Sequence, residues 1–355
     1  MHTDTTTEYL GLKLRSPLVV GACPMTRQPE LVRELTIAGA GAVVLPSLLE
    51  EQIVRELIQA GEQPSDEEHQ VQASGSPHLE DIYNGGVQNY VRTLGLLKQC
   101  TGIPIIASLN GCDHGSWLGF ASRLEGAGAD AIELSIQSGL NDPQRDSEAV
   151  EDSIVRAVER VCQSVSIPVA IKLLPFVTSL PSLVSRLATA GAKGVVLFGR
   201  EPIWEVFDGA LTATCRWSLS DAGQLQTTLS GLMRARPGAD QLSVAANGGI
   251  STAKDVIHTI IAGADLAMVT SELYRTGPDV VAHILEGITH YLERQGMRSF
   301  DSFVERCRAA PDGNGSRRSR MRAMLDTNRY HDPHPEPAPQ SGDPWGHVYP
   351  APIDD

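Results

Sequence analysis

Lys172 stands in an apolar run, Ala170-Ile171-Lys172-Leu173-Leu174. An ammonium in such a run is expensive unless it meets an anion. It therefore marks a place where negative charge is bound, with snorkelling out of a core as the bland alternative. Glu133, in Ala131-Ile132-Glu133-Leu134-Ser135, is an equally misplaced carboxylate that could meet Lys172 across the fold, as an acid–base pair or as a structural ion pair. Ser108 and Asn110 are small polar groups suited to the amide and carbonyl edges of a planar ligand, although Asn110 could instead cap a helix. The stretch 243–271, SVAANGGISTAKDVIHTIIAGADLAMVTS, carries a different chemistry. Asn247-Gly248-Gly249 breaks a short strand, Ser251 or Thr252 caps a helix that Gly263 ends, and Thr270-Ser271 opens the next helix. Two successive strand-to-helix turns with bare amides and hydroxyls form what an anionic phosphate needs. Two ordinary turns with glycines for tight geometry are the alternative.

Composition narrows the classes. The 355 residues carry 29 basic and 43 acidic side chains, a net charge of −14, which argues against nucleic acid or anionic membrane partners. The six cysteines are scattered without a CxxC pair, which points to reduced thiols and the cytoplasm. The N-terminus lacks the apolar core of a signal peptide, and no apolar run reaches the ~18 residues of a membrane span. There is no metal-ligand cluster, no G-x-S-x-G and no P-loop. Asp113-His114 is a weak acid/base pair in a loop.

The elements that must position these residues follow from a repeat. AGAGAVVL, AGADAIEL, AGAKGVVL and AGADLAMV begin at Ala38, Ala127, Ala190 and Ala262, each a helix end, a glycine stop and a buried strand. IPIIAS after Gly102 and IPVAIKL after Ser166 supply alternate strands, and LVVGA from Leu18 and SVAA from Ser243 complete eight. Short apolar strands alternating with helices predict a parallel sheet, here a (β/α)8 barrel over about 17–293, with a doubly wound sheet as the alternative. Residues 10–14 read as a short strand or hairpin closing the barrel bottom. Residues 50–79 read as a mobile loop and 82–100 as a helix. Residues 201–218, with Trp204, Phe207 and Trp217, read as a hairpin over the site or as an insertion those aromatics pack. A terminal helix is expected over 279–296. The barrel domain is expected to span 1–309, and the Pro/Arg-rich segment 310–355 is expected to be disordered. In a barrel, chemistry sits at the C-terminal strand ends, which carry Ala22-Cys23, Ser47, Ser108 and Asn110, Glu133 to Ser138, Lys172, Gly199-Arg200, Asn247 with its glycines, and Thr270-Ser271.

Taken together, these residues resemble the dihydroorotate dehydrogenase family of FMN barrels, particularly its divergent class 1-like members. The likeness runs from about Tyr9 to Arg306 and rests on YLGLKLRSPLVVGACPMT, IPIIASLNG, GADAIELSI, IPVAIKL, AANGGISTAKDV and GADLAMVTSELYRTGP, taken in order. The resemblance implies an FMN at the barrel mouth and oxidation of a CH–CH bond in a small planar acid, as in pyrimidine biosynthesis. Ala22 and Cys23 would lie along the ring, and Ser47, Ser108 and Asn110 would reach its polar edges. Lys172 would face N1/O2, while Asn247, Gly248, Gly249, Thr270 and Ser271 would hold the phosphate turn. The family base, which takes a proton as hydride leaves for the cofactor, falls at Ser138. Around it the family's asparagines and proline are replaced by Ser135-Ile136-Gln137-Ser138-Gly139-Leu140. Pro46 stands where the family has a lysine, and Gly199 where it has an asparagine. Two other readings remain: a flavin-free barrel enzyme on a phosphorylated metabolite with Lys172 and Glu133 as acid and base, and a catalytically degenerate FMN binder. A small-molecule substrate is expected, and a homodimer is one assembly option.

Overall fold

The repeated AGA segment is a helix stop in backbone terms. Ala38, Ala127, Ala190 and Ala262 each cap a helix in the right-handed region. The glycine after each has φ between 99° and 114°. The alanine after that glycine then donates back across the last turn: Ala40 to Leu35 O at 3.0 Å, Ala129 to Leu124 O at 3.1 Å, Ala192 to Leu187 O at 3.1 Å and Ala264 to Thr259 O at 3.0 Å. That is the Schellman closure, and only glycine adopts the left-handed residue without strain. The chain leaves each closure directly into a buried strand.

The computed structural model describes residues 3–309 except 64, 67, 70–72, 74–81, 113–114, 137–141, 201 and 208–210. Eight parallel strands close on themselves: β1 (Leu18–Val20), β2 (Ala42–Val44), β3 (Ile105–Gly111), β4 (Ala131–Ile136), β5 (Val169–Leu173), β6 (Gly194–Leu197), β7 (Ser243–Asn247) and β8 (Leu266–Val269). Each pairs with the next, and β8 pairs back onto β1 through Met268 and Val19. With helices between the strands, this is a (β/α)8 barrel.

Strand alternation makes two cores. Inward residues such as Val19, Val44, Ile106, Ala131, Ala170, Val196, Ala245 and Met268 fill the barrel. Outward residues such as Val20, Val43, Leu134, Ile171 and Leu197 pack the helices. The bottom is plugged by a hairpin, Thr7–Tyr9 with Leu12–Leu14, whose turn residues Leu10 and Gly11 both have positive φ. Tyr9, Leu10 and Leu14 join the inner core.

Three expectations change. Residues 50–79 do not begin as a loop: Glu50–Gln59 is a helix. Glu50, Ile53 and Val54 are buried on one face, at the spacing of adjacent helical turns. Much of the segment beyond lies outside the described residues. The following helix is Val87–Cys100 rather than 82–100, because Gly85 and Gly86 take φ of 90° and 77° and break it. The chain also adds a helix, Phe300–Ala309, that the sequence pattern did not reveal. Phe300, Phe303 and Val304 bury its inner face, and Arg308 bonds the Asp265 carboxylate. The terminal helix is Asp279–Arg294. The insertion after β6 is an antiparallel hairpin, Ile203–Phe207 with Thr212–Arg216. Its Trp204 and Phe207 are exposed rather than packed into the insertion. The expected tail, 310–355, lies outside the described residues. Among the described residues no helix is long and apolar enough to cross a membrane.

Candidate functional site

Register brings the polar residues together. Asn110 pairs with Ser135, and Ser135 with Lys172, so three inward polar side chains sit side by side on β3, β4 and β5. One pleat deeper, Glu133 lies opposite Ser108 and Ala170. Glu133 is thus a diagonal neighbour of Lys172 on the next strand, not a partner across the barrel as the sequence suggested, and the two form an ion pair. The pair is asymmetric: the Glu133 side chain is 1% exposed and that of Lys172 14%. Lys172 therefore stands between Glu133 and the barrel mouth. Glu133 Oε2 has no hydrogen-bond partner among the described residues.

Above this layer lies a cavity of about 640 Å³ to which every strand end contributes. Ala22 and Cys23 come from β1, Ser47 from β2, Asn110, Ser135 and Lys172 from β3 to β5, Gly199 from β6, Asn247 to Gly249 from β7, and Thr270 and Ser271 from β8. Of the residues singled out from sequence, Ser108 does not reach the wall. It is fully buried, its hydroxyl shares a 2.8 Å hydrogen bond with that of Ser47, and its amide donates to the Tyr90 hydroxyl. Its role is to seat Ser47. Ser138, Asp113 and His114 lie outside the described residues.

Each wall is held from behind. The Ser47 carbonyl accepts from Asn84 Nδ2 at 2.8 Å, and Asn84 is bonded in turn to Gln52. The glycine turn is gripped by Thr228, whose hydroxyl donates to the carbonyls of Asn247 and Gly248 at 3.0 and 3.1 Å. Gly248 and Gly249 have φ of 109° and 74°. A Cβ on Gly249 would lie 2.6 Å from the Asp221 carbonyl and 2.8 Å from Leu225 Cα, so this turn cannot carry a side chain. Thr252, not Ser251, caps the helix Ala253–Ile261, with Asp255 completing the box. Thr270 caps the helix Ser271–Thr276 without spending its hydroxyl on a cap bond. The Ser271 hydroxyl is engaged by the Ser220 amide and hydroxyl at 2.9 and 2.8 Å.

Two wall residues, Tyr83 and Tyr274, were not singled out from the sequence. Tyr83 follows the insertion after β2 and hydrogen-bonds Ser47, and burial raises its phenol. Burial also pushes the Cys23 thiol up, with Tyr274 hydrogen-bonded to it. Tyr274 lies one turn beyond Thr270 on the helix after β8, a spacing that could have revealed it. Arg200 and Trp217 come from the two ends of the hairpin insertion.

The comparisons with known proteins meet this geometry where the glycine turn lies. The family model for dihydroorotate dehydrogenase matches residues 232–292, which hold β7, β8 and both turns. The catalytic subunit of dihydroorotate dehydrogenase B (NAD(+)) from Pyrococcus abyssi is 26% identical over 314 residues, 83% of this chain and 96% of that protein. The chain is thus similar, at modest identity but over most of its length, to dihydroorotate dehydrogenases. Within that family, the corresponding subunit from Desulforudis audaxviator is 25% identical, covering 86% of this chain and 97% of its own. The NAD-dependent dihydropyrimidine dehydrogenase subunit of Escherichia coli K12 is 22% identical over 85% of this chain and 76% of its own.

Proposed function

We propose that this chain is an FMN-dependent oxidoreductase acting on a CH–CH bond of a small planar acid. One observation carries the reading: a single cavity gathers polar side chains from β3, β4 and β5 and a side-chain-free turn from β7. Its volume of about 640 Å³ falls in the usual range for small-molecule and cofactor sites, roughly 300–1,000 Å³.

The residues present fit FMN. Gly249 lines the cavity and is packed so closely on the main chain of Asp221 and Leu225 that only glycine fits, so the turn would offer main chain to a phosphate. Gly248, Gly249, Thr270 and Ser271 would hold the phosphate, with Asn247 fixing the turn. Ser47, Asn110 and Lys172 would meet the polar edge of the ring, and Ala22 and Cys23 its face. Bound there, FMN would supply two-electron redox chemistry. The chain supplies orientation and charge. Lys172 is a cation fixed by Glu133, and Glu133 lies too deep to touch a ligand itself. That depth weighs against a reading in which Glu133 and Lys172 act directly as acid and base on a phosphometabolite. Ser138 is the group we propose takes the substrate proton, and a serine does so only with help from a neighbouring base. The described cysteines are all free thiols, in keeping with a cytoplasmic protein.

The test is direct. The purified protein is expected to be yellow or to take up FMN, and dihydroorotate or a related planar acid is expected to bleach it without oxygen. A colourless protein that quenches no added FMN fluorescence removes the cofactor. A yellow protein that no planar acid bleaches leaves only a binder.

A further inference from the structure

Arg200 follows β6 directly and lines the cavity beside Gly199. Its surroundings leave its charge unanswered. Among the described residues no carboxylate lies within ion-pair distance of it, and the described lining contains no Asp or Glu at all. The other cation of the lining, Lys172, already has Glu133. Arg200 spends one nitrogen, Nη2, on the Ser218 carbonyl. Its Nε is buried and has no hydrogen-bond partner among the described residues. The guanidinium lies 5.5 Å from the Trp217 ring centre, so its plane is braced by an aromatic face. Tyr83 and Tyr274 line the same cavity. Partial burial disfavours its charged form.

An arginine presents a rigid fork of donors whose natural complement is a planar oxyanion, and a braced, desolvated fork loses little freedom on binding one. Two anions could answer it here, the phosphate of the cofactor or a carboxylate on the substrate. The phosphate turn is already built from main chain and hydroxyls on β7 and β8. Arg200 instead carries the Trp217 ring against its guanidinium, in a cavity wall shared with Tyr83 and Tyr274. Resting on the flavin reading above, we propose that Arg200 is the specificity residue of the site and binds the carboxylate of a planar-ring substrate, so that the enzyme takes ring carboxylates and rejects the same ring without the acid group. This separates the two kinds of relative by chemistry: dihydroorotate carries a carboxylate and a simple dihydropyrimidine does not.

The experiment uses the full chain as purified, with Arg200→Gln and Arg200→Lys beside the wild type. Calorimetry measures binding of orotate, benzoate and uracil, and fluorescence quenching measures FMN and riboflavin. Wild type is expected to bind orotate and benzoate and to bind uracil at least tenfold more weakly. Arg200→Gln is expected to weaken both carboxylates by about 10- to 100-fold, the range of a charged hydrogen bond, and to leave uracil unchanged. Arg200→Lys is expected to fall between, because the ammonium lacks the fork. FMN affinity is expected to stay within twofold in both variants. A variant that weakens FMN but not riboflavin would assign Arg200 to the cofactor phosphate and overturn the proposal. So would a wild type that binds uracil as well as orotate, or that binds neither carboxylate. If wild type binds no flavin yet Arg200→Gln still loses the carboxylates, the cofactor reading fails and the anion site stands. An unchanged thermal melt keeps these outcomes separate from misfolding.

Discussion

Lys172 and Glu133 form an ion pair inside the barrel in which only the lysine reaches the cavity. The two ends of this pair have different escapes. An ammonium on a four-carbon stem can swing toward the cavity and water, whereas the Glu133 carboxylate, 1% exposed, cannot move out. Leaving one buried charge alone costs roughly 3–5 kcal/mol. Lys172→Met is therefore expected to destabilise more than Glu133→Gln, and the double variant to be more stable than the sum of the two losses predicts. Urea midpoints at pH 7 measure all three, and strict additivity would show that the pair does not couple.

The cradle makes a prediction about backbone. Gly249 and Gly61 share a left-handed backbone, with φ of 74° and 89°. A Cβ on Gly61 meets nothing within 4 Å, and one on Gly249 meets the main chain of Asp221 and Leu225. Alanine at Gly61 is expected to cost about 1 kcal/mol, the strain of the left-handed region alone. Alanine at Gly249 is expected to cost clearly more and to abolish FMN uptake, while the Gly61 variant keeps it. Equal losses at the two positions would mean the turn is not the rigid element argued here.

What the sequence disclosed, and what it hid, follows from the physics of each signal. The four AGA segments were legible because a left-handed helix stop demands glycine and the next strand demands apolar residues, so both leave a mark. Lys172 and Glu133 were legible because a charge inside an apolar strand is an anomaly. Their being neighbours on adjacent strands, one pleat apart, was not legible, because barrel register is set by closure and not by local spacing. Ser108 looked like a ligand group because its strand position faces inward. That it spends its hydroxyl on Ser47 depends on a segment 61 residues away. Tyr83 belongs to an insertion with no period, so nothing in its sequence announced the cavity, whereas the strand count put Arg200 at a strand end and the aromatic insertion after β6 put Trp217 over the site.

Cysteine chemistry gives a pH-dependent prediction. Burial raises the Cys23 thiol, so at any given pH its thiolate fraction is smaller than that of a free thiol. Cys215, in the exposed hairpin, has no such shield. Iodoacetamide at pH 7.5 is expected to label Cys215 readily and Cys23 slowly. Cys23 labelling is expected to rise only as the pH passes well above about 8.5, the ordinary thiol value. FMN bound as proposed, over Cys23, is expected to slow it further. Mass spectrometry of labelled peptides reads both, and equal labelling of the two thiols at pH 7.5 would contradict the burial.

The hairpin after β6 tests how far the barrel depends on its insertions. Among the described residues its two strands pair only with each other. Val206 and Leu211 are 77% and 92% exposed, and Trp204 is 69% exposed. Side chains that are already in water contribute little to folding, so Trp204→Ser and Val206→Thr are each expected to change stability by less than about 0.5 kcal/mol. Replacing Ile203–Arg216 with a short Gly/Ser linker is expected to leave the barrel melting within a few degrees, because no residue of either core is removed. Trp217 is kept in that variant, and so is its contact with Arg200. Carboxylate binding is therefore expected to weaken only as far as the hairpin positions Trp217. A collapse of the melting temperature would mean the hairpin buries surface in solution. Full retention of orotate affinity would mean that Arg200 is held by Ser218 and Trp217 alone.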